Sequence, residues 1–359
     1  MDERTLDSIF CGNLDDLPPV RSKIVRIFTS STFTDMSMER NCLMQNVYPK
    51  IKEYCKEKHG LEFQVVDMRW GVRDEATDDH MTTDLCMNEI KNCQRLSVGP
   101  NFVTFLGQKY GYRPIPTYIE GQEFSKLCSA LNELKITEVD LLYTWYSEDK
   151  NAIPSTFILQ PISSILLHFN NKKEPELMAK DQATWWQTLS QLQKILRLAA
   201  CHLFDNKLMT EEEKHNYIMA VTEREVINGV LKLKETRNTC LGYIRHIQKV
   251  NMSNVRTVNK FIDLIDGEVD KEAADLLSDL RDNRLVKKIH PDNIIKYKLD
   301  WSDTDGLNER AHYDYLCEFI NHFYKNIVKL VRRAMRKEDS SIFGRIVNEI
   351  LQVTIAEPC

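Results

Sequence analysis

The chain has 359 residues, of which 42% are hydrophobic and 28% charged, and this length favours two domains or one domain with a large insertion. The net charge of −5 argues against nucleic-acid binding, which requires a basic face. No apolar run approaches the ~20 residues of a membrane span, and the acidic start MDERTLDSIF is not a secretory signal. The ten cysteines show neither a CxxC pair nor a zinc spacing, so we expect reduced thiols, no metal site and a cytoplasmic location.

The first part of the chain alternates between predicted strands and helices. KIVRIFTS (23–30) predicts a buried strand, LEFQVVDMRWGV (61–72) a second strand and PNFVTFLG (100–107) a third. The helical pattern between the first two strands contains Pro49, which predicts a kink or two abutting helices. Gly60 is expected to end this helical region.

The same alternation continues to about residue 165. Apolar spacing predicts helices over 82–96 and 120–132, and STFILQP (155–161) predicts a fourth strand that Pro161 stops. Strands and helices at this spacing are typical of a parallel sheet with helices on both faces. The predicted fold is therefore α/β, with a doubly wound, mainly parallel, flavodoxin-like sheet.

The composition changes beyond this point. The block 166–290 shows a helical pattern nearly throughout, while NIIKYKLDW (293–301) alternates apolar residues with lysines. That alternation predicts a half-buried strand that returns to the sheet as a protected edge, and 308–337 predicts one long final helix. The predicted organisation is an N-terminal tail (1–20), an α/β domain (21–165), a helical insertion (166–290), a returning strand with the final helix (291–337) and a C-terminal junction (338–359).

Polar side chains follow the predicted strands at their carboxyl ends. In an open parallel sheet, ligands bind at this edge where the strand order reverses. Hydroxyl groups beside a helix start could hold an anionic group, with Arg69 paired to it and Trp70 stacked on a ring. The candidate ligand-binding residues are Ser30, Ser31, Thr32, Asp67, Arg69, Trp70 and Gly107.

A structural role explains the same residues equally well. The hydroxyls could cap the next helix, Arg69 could pair with Asp35 or Asp67, and Trp70 could fill a loop. Glu123 lies near the start of a predicted helix, where it complements the helix dipole or could stabilise a cation that develops on a bound sugar. The chain has no P-loop, no GxGxxG after the first strand and no GxSxG, so its motifs specify no reaction.

Three motifs occur in order: S-S-T-F at 30–33, D-x-R-W-G-V at 67–72 and L-G-x-x-Y-G at 106–111. With WYSEDKNAIPSTFILQP (145–161), they resemble the N-terminal region of NACHT and WD-repeat proteins. This family of STAND ATPases includes a related segment in the telomerase-associated protein. The resemblance covers about 21–165 and returns weakly at KYKLDW and the final helix.

The resemblance implies a TIR-like module that precedes a NACHT nucleotide-binding domain and a WD40 propeller in signalling proteins. Because the chain has neither a P-loop nor propeller repeats, we expect a fragment, an isoform or a short relative. The leading hypothesis is a module for protein interaction or self-association, with other proteins as partners.

The resemblance also implies an enzymatic alternative. Some TIR domains cleave NAD with a glutamate on the helix after the third strand, and Glu123 matches that residue by position. The segment 68–81 matches the loop beside the nucleotide, so Ser30, Arg69 and Trp70 would form the pocket of an NAD glycohydrolase. A third hypothesis is a sensor that binds a nucleotide without turnover.

Overall fold

The computed structural model describes residues 23–69, 77–302 and 306–355, with the side chains of the last helix described to residue 336. The strands are β1 (Ile24–Ser30), β2 (Glu62–Val66), β3 (Phe102–Leu106), β4 (Tyr118–Glu120), β5 (Tyr146–Asp149), β6 (Thr156–Leu159), β7 (Cys240–Gln248), β8 (Leu264–Ile265), β9 (Glu268–Val269) and β10 (Ile294–Asp300). The first helices are α1 (Ser37–Asn46), α2 (Tyr48–His59), α3 (Thr82–Leu96), α4 (Gly121–Glu133), α5 (Val139–Trp145), α6 (Ile162–Ile165) and α7 (Pro175–Asp205). The later helices are α8 (Glu211–His215), α9 (Val221–Val226), α10 (Val255–Val258), α11 (Lys271–Ser278), α12 (Leu285–Lys288) and α13 (Tyr313–Ile355).

The main sheet has five parallel strands in the order β10-β7-β3-β1-β2. Val25 of β1 lies opposite Phe63 of β2, and Phe28 of β1 lies opposite Phe102 of β3. The strand order reverses at β1, as it does in flavodoxin-like folds. The predicted doubly wound α/β fold is therefore confirmed, and so are the parallel arrangement of the first three strands and the edge position of β10.

The fourth strand of the main sheet is not the predicted one. The segment 155–161 does contain a strand, β6, but this strand pairs antiparallel with β4 and β5 in a separate three-stranded sheet. The fourth place belongs to β7, which lies inside the block 166–290 that its pattern predicts to be helical. The prediction was wrong because β7 carries Arg245 and His246 in its middle, and buried parallel strands normally read as continuous apolar runs.

Helices cover both faces of the main sheet. On one face α1, α2 and α13 pack over Val25 of β1 and Phe105 of β3, and α13 contributes Phe323 to this contact. On the other face α3, α9 and α12 pack over Phe28 and Phe102, whose rings stack with centroids 5.8 Å apart. Among the helices of the described residues, none is both long and apolar enough to cross a membrane.

The helical region between β1 and β2 follows its prediction closely. It consists of two abutting helices, α1 and α2, and Pro49 lies in the first turn of α2, where its missing N–H group costs no helical hydrogen bond. Gly60 ends α2 in the left-handed conformation, with φ of 64°. This conformation is unfavourable for residues with a Cβ, so the glycine fixes the turn into β2.

A buried arginine joins β7 to the region after β1. Arg245 forms an ion pair with Asp35 and donates from Nη1 to Glu39 Oε1 over 2.5 Å. The Tyr315 hydroxyl of α13 donates to the same Glu39 oxygen over 2.9 Å. Burial raises the pKa of Asp35 to about 6 although Arg245 opposes this shift. Arg245 is therefore the guanidinium partner of two buried carboxylates.

The first prediction concerns the close approach of the 227–231 turn to β3. A Cβ at Gly229 would lie 2.2 Å from the ring of Phe102, which is fully buried. We expect Gly229→Ala to lower the free energy of unfolding by about 3 kcal/mol, because the ring has no free space into which it can move. Gly242→Ala is the control, since its Cβ meets only side-chain ends at 3.2 Å or more. Equal losses in urea denaturation would contradict the prediction.

The second prediction tests the buried ion pairs. Arg245→Met removes the partner of two buried carboxylates, and we expect a loss of about 3–5 kcal/mol in the free energy of unfolding at neutral pH. Arg95→Met on the exposed surface of α3 serves as the control and should change stability by less than about 0.5 kcal/mol. A loss for Arg245→Met as small as that of the control would show that these ion pairs contribute no net stability.

Candidate functional site

The hydroxyl groups at the end of β1 bond to groups inside the protein. Ser30 Oγ donates to Glu225 Oε2 over 2.7 Å, and Thr29 Oγ1 donates to the carbonyl oxygen of Val66 over 3.0 Å. Ser31 Oγ donates to the carbonyl oxygen of Thr32 over 2.9 Å. These contacts connect β1 to β2 and to α9, so the hydroxyls stabilise the packing of neighbouring elements.

These hydroxyl groups do not cap the next helix. The N-cap position of α1 is Met36, and its side chain makes no capping hydrogen bond. Ser31 Oγ instead accepts from Arg40 Nη1 over 2.7 Å, and Arg40 is fully buried. The capping interpretation of the Ser/Thr cluster is therefore wrong, although the alternative that these residues serve the structure agrees with the observed bonds.

Two arginines hold Asp67 after β2. Arg40 forms an ion pair with Asp67 Oδ1 and donates from Nε to Oδ2 over 3.1 Å, while Arg69 Nη2 lies 2.9 Å from Oδ2. Burial raises the pKa of Asp67, but hydrogen bonds from Arg69 and the charge of Arg40 outweigh it and hold the pKa below its ordinary value. Arg69 thus pairs with Asp67, as the structural alternative requires, and Trp70 lies outside the described residues.

Gly107 allows the chain after β3 to pass close to Asp35. A Cβ at Gly107 would lie 2.2 Å from Asp35 Oδ2, which accepts from the backbone N–H groups of Gln108 at 3.1 Å and Lys109 at 3.3 Å. Arg281 Nη1 donates to the carbonyl oxygen of Gly107 over 2.5 Å. The absence of a side chain at Gly107 therefore makes room for an internal carboxylate.

Glu225 is a buried carboxylate that the sequence analysis does not identify. It lies in α9, accepts the Ser30 hydroxyl and is only 6% exposed. Burial raises its pKa to about 7, although the Ser30 hydrogen bond and the charge of Arg40 oppose the shift. Ser30 and Glu225 are 195 residues apart in the chain, so no local pattern could have connected them.

Glu123 lies apart from the other predicted site residues. It occupies the first turn of α4, accepts the Tyr217 hydroxyl over 2.6 Å and lines a cavity of about 260 Å³ with Asp84 and Arg224. The described lining of this cavity includes neither Ser30 nor Arg69. The structure thus divides the candidates into a buried ion-pair cluster and a separate glutamate, and the catalytic role of Glu123 stays a prediction.

Comparison with known proteins identifies relatives of the chain. Residues 26–138 match the model of a family described as a domain of unknown function, DUF4062. NACHT and WD repeat domain-containing protein 2 of Homo sapiens is 30% identical over 354 residues, which are 96% of this chain and 20% of the relative. NACHT domain- and WD repeat-containing protein 1 of Mus musculus is 31% identical over 80% of this chain and 17% of its own length.

A third relative matches a shorter segment. Telomerase protein component 1 of Rattus norvegicus is 37% identical over 94 residues, which are 26% of this chain and 3% of the relative. No solved structure matches the chain. The chain spans about a fifth of the length of the first two relatives. The resemblance drawn from the motifs at 30–33, 67–72 and 106–111 is confirmed, and the chain belongs to the family of the NACHT and WD repeat-containing proteins as a homologue of one segment of them.

Proposed function

We propose that this chain is a cytoplasmic, TIR-like interaction module of a NACHT and WD-repeat signalling protein, through which copies of that protein self-associate. The observation that carries the proposal is the extent of the match, which takes in 96% of this chain and 20% of the human relative. The chain itself contains neither a P-loop nor WD repeats, so its part in such a protein differs from nucleotide hydrolysis and from a propeller.

The carboxyl edge of the sheet supports a role in interaction over catalysis. Two arginines at this edge that the structure describes, Arg40 and Arg69, both bond Asp67 and are therefore already occupied. The Ser30 hydroxyl is likewise bonded to Glu225. A ligand at this edge would have to break buried ion pairs, which costs about 3–5 kcal/mol for each pair. We therefore do not propose NAD cleavage at this edge.

The two edges of the main sheet differ in a way that points to β2 as the interacting edge. The edge strand β10 carries Lys296 and Lys298, and lysines on an edge oppose the addition of further strands. The other edge strand, β2, has the sequence EFQVV and no lysine. A groove of about 430 Å³ borders β2 and is lined in part by Met44 and Val65. The exposed Met44 and the half-buried Val65 give this groove an apolar wall beside an unpaired strand edge, which suits a second copy of the chain.

The third prediction tests self-association through β2. Sedimentation of the purified chain should show association that rises with protein concentration, and Met44→Glu together with Val65→Lys should abolish it, because charged side chains disfavour an apolar interface. Leu208→Glu is the matched control, since Leu208 is 58% exposed and follows α7. A wild-type chain that stays monomeric at every concentration would exclude the proposal. Association that persists in the double variant would exclude β2 as its site.

The fourth prediction tests the structural role of the Ser30–Glu225 pair through its pH dependence. The folded-state pKa of Glu225 lies above its ordinary value, so the folded chain binds a proton that the unfolded chain has released, and stability falls as pH rises from about 4.5 to about 7. Glu225→Gln removes this loss. The stability of the variant relative to wild type should rise by about 2–3 kcal/mol between about pH 5 and about pH 8.

Asp35 titrates in both proteins and cancels from the comparison, and the exposed Glu57→Gln serves as the control. The measurement is urea denaturation at a series of pH values, and a relative stability that does not change with pH would contradict the structural assignment. Glu225 would then be ionised in the folded chain at the same pH as in the unfolded chain.

A further inference from the structure

Two cavities adjoin near the N-termini of α3 and α4. The first has a mostly polar lining and is called the polar cavity; its volume is about 260 Å³. The second has a mostly apolar lining and is called the apolar cavity; its volume is about 250 Å³. Thr83, Pro114, Ile115 and Thr117 line both of them, so the loop before β4 forms a common boundary. Ligand sites typically combine an apolar surface with a few polar groups that fix the orientation of the ligand.

The polar cavity contains two carboxylates and one guanidinium. Asp84 lies in the first turn of α3 and Glu123 in the first turn of α4, while Arg224 belongs to α9. Among the described residues, the Arg224 side chain makes no hydrogen bond or ion pair, and its Nε is fully buried without a partner. The guanidinium of Arg224 is therefore a cation in the lining of the cavity that can pair with an anionic group of a ligand.

The charges of this cavity select the ligand. Two carboxylates and one guanidinium give a net charge of −1, which repels a phosphate group with its charge of about −1.5 to −2. A zwitterion avoids this repulsion, because its carboxylate can pair with Arg224 while its ammonium group pairs with Asp84 and Glu123. An α-amino group and an α-carboxylate on one carbon supply both charges within a few bonds.

The apolar cavity has the lining that an aromatic side chain requires. Trp186 and Tyr112 line it and are 60% and 53% exposed, whereas the neighbouring Trp185 is buried. The ring of His80 lies 5.2 Å from the ring of Trp185, and burial lowers the pKa of His80, so this histidine carries no charge at neutral pH. Exposed aromatic surface next to an uncharged wall favours ring stacking.

We propose that these two cavities bind a free aromatic amino acid. Arg224 receives its carboxylate, Asp84 and Glu123 receive its ammonium group, and the ring lies against Trp186 and Tyr112. This assignment is independent of self-association through β2. It gives Glu123 the role of a binding residue and requires no bond to be broken.

Thermal denaturation and calorimetry of the full chain test the proposal. L-phenylalanine, L-tyrosine or L-tryptophan at about 10 mM should raise the melting temperature, and the increase should grow with ligand concentration. Phenylalaninamide, which lacks the carboxylate, and 3-phenylpropionate, which lacks the ammonium group, should each bind about tenfold more weakly or worse. The analogues test both charges on the unaltered protein, so the test does not depend on the folding of a variant.

Variants then assign the contacts. Arg224→Gln and Asp84→Asn should each weaken binding of phenylalanine about tenfold, and Arg95→Gln on the exposed face of α3 should leave it unchanged. Trp186→Ala should weaken the binding of phenylalanine more than it weakens the binding of alanine. The proposal is overturned if no aromatic amino acid binds, if both analogues bind as tightly as phenylalanine, or if adenosine monophosphate stabilises the chain and the amino acids do not.

Discussion

The arrangement of the main sheet depends on a small set of charges buried at its carboxyl edge. Asp35 follows β1, pairs with Arg245 of β7 and accepts backbone N–H groups from Gln108 and Lys109 after β3. One carboxylate thus joins the middle of β7 to the segments that follow β1 and β3. Leaving any member of such a set without its partner costs several kcal/mol, so these charges are compatible with few alternative strand orders.

These internal contacts have a consequence for function. Parallel sheets usually bind ligands at the carboxyl ends of their strands because hydroxyls, N–H groups and charges converge there. In this chain the same groups converge, but Arg40 and Arg69 bond Asp67, and Glu225 accepts the hydroxyl of Ser30. The groups that normally contact a ligand instead connect α1, β1, β2 and α9. We therefore propose that a second copy of the chain binds at the β2 edge of the sheet, and that a small ligand binds in the cavities next to α4.

The sequence predicts local features of this fold well and distant contacts poorly. Pro49 and Gly60 act through their own backbone angles, so two abutting helices and the end of α2 could be read directly. Strand β6 could be recognised as a strand, but alternation of residues does not reveal which strand is its partner. Strand β7 could not be predicted because it contains Arg245, and an arginine is unusual in a central strand. The carboxylates that pair with Arg245 lie about 200 residues earlier in the chain.

The candidate site shows the same limit. Ser30, Asp67 and Arg69 were correctly placed at the carboxyl edge because parallel strands end together. Whether such groups face a ligand or one another depends on Glu225 and Arg40, and the sequence gives no distance between these side chains. The lining of the cavity at Glu123 depends in turn on Tyr217 and Arg224, which come from a part of the chain that shows only a helical pattern.

The buried charges also define how much of the chain must fold together. The match to the domain of unknown function covers residues 26–138, which include Asp35 and Glu39 but not Arg245 or Tyr315. A chain that ended near residue 138 would leave two carboxylates inside the protein without their guanidinium partner, and it would lack the strands β7 and β10 and the helix that covers one face of the sheet. The long match to the NACHT and WD repeat relative, over 354 residues, agrees with this physical requirement. We therefore expect the cooperative unit of structure to extend from β1 to α13, whereas the shorter family match, over residues 26–138, reaches only from β1 to just beyond α4.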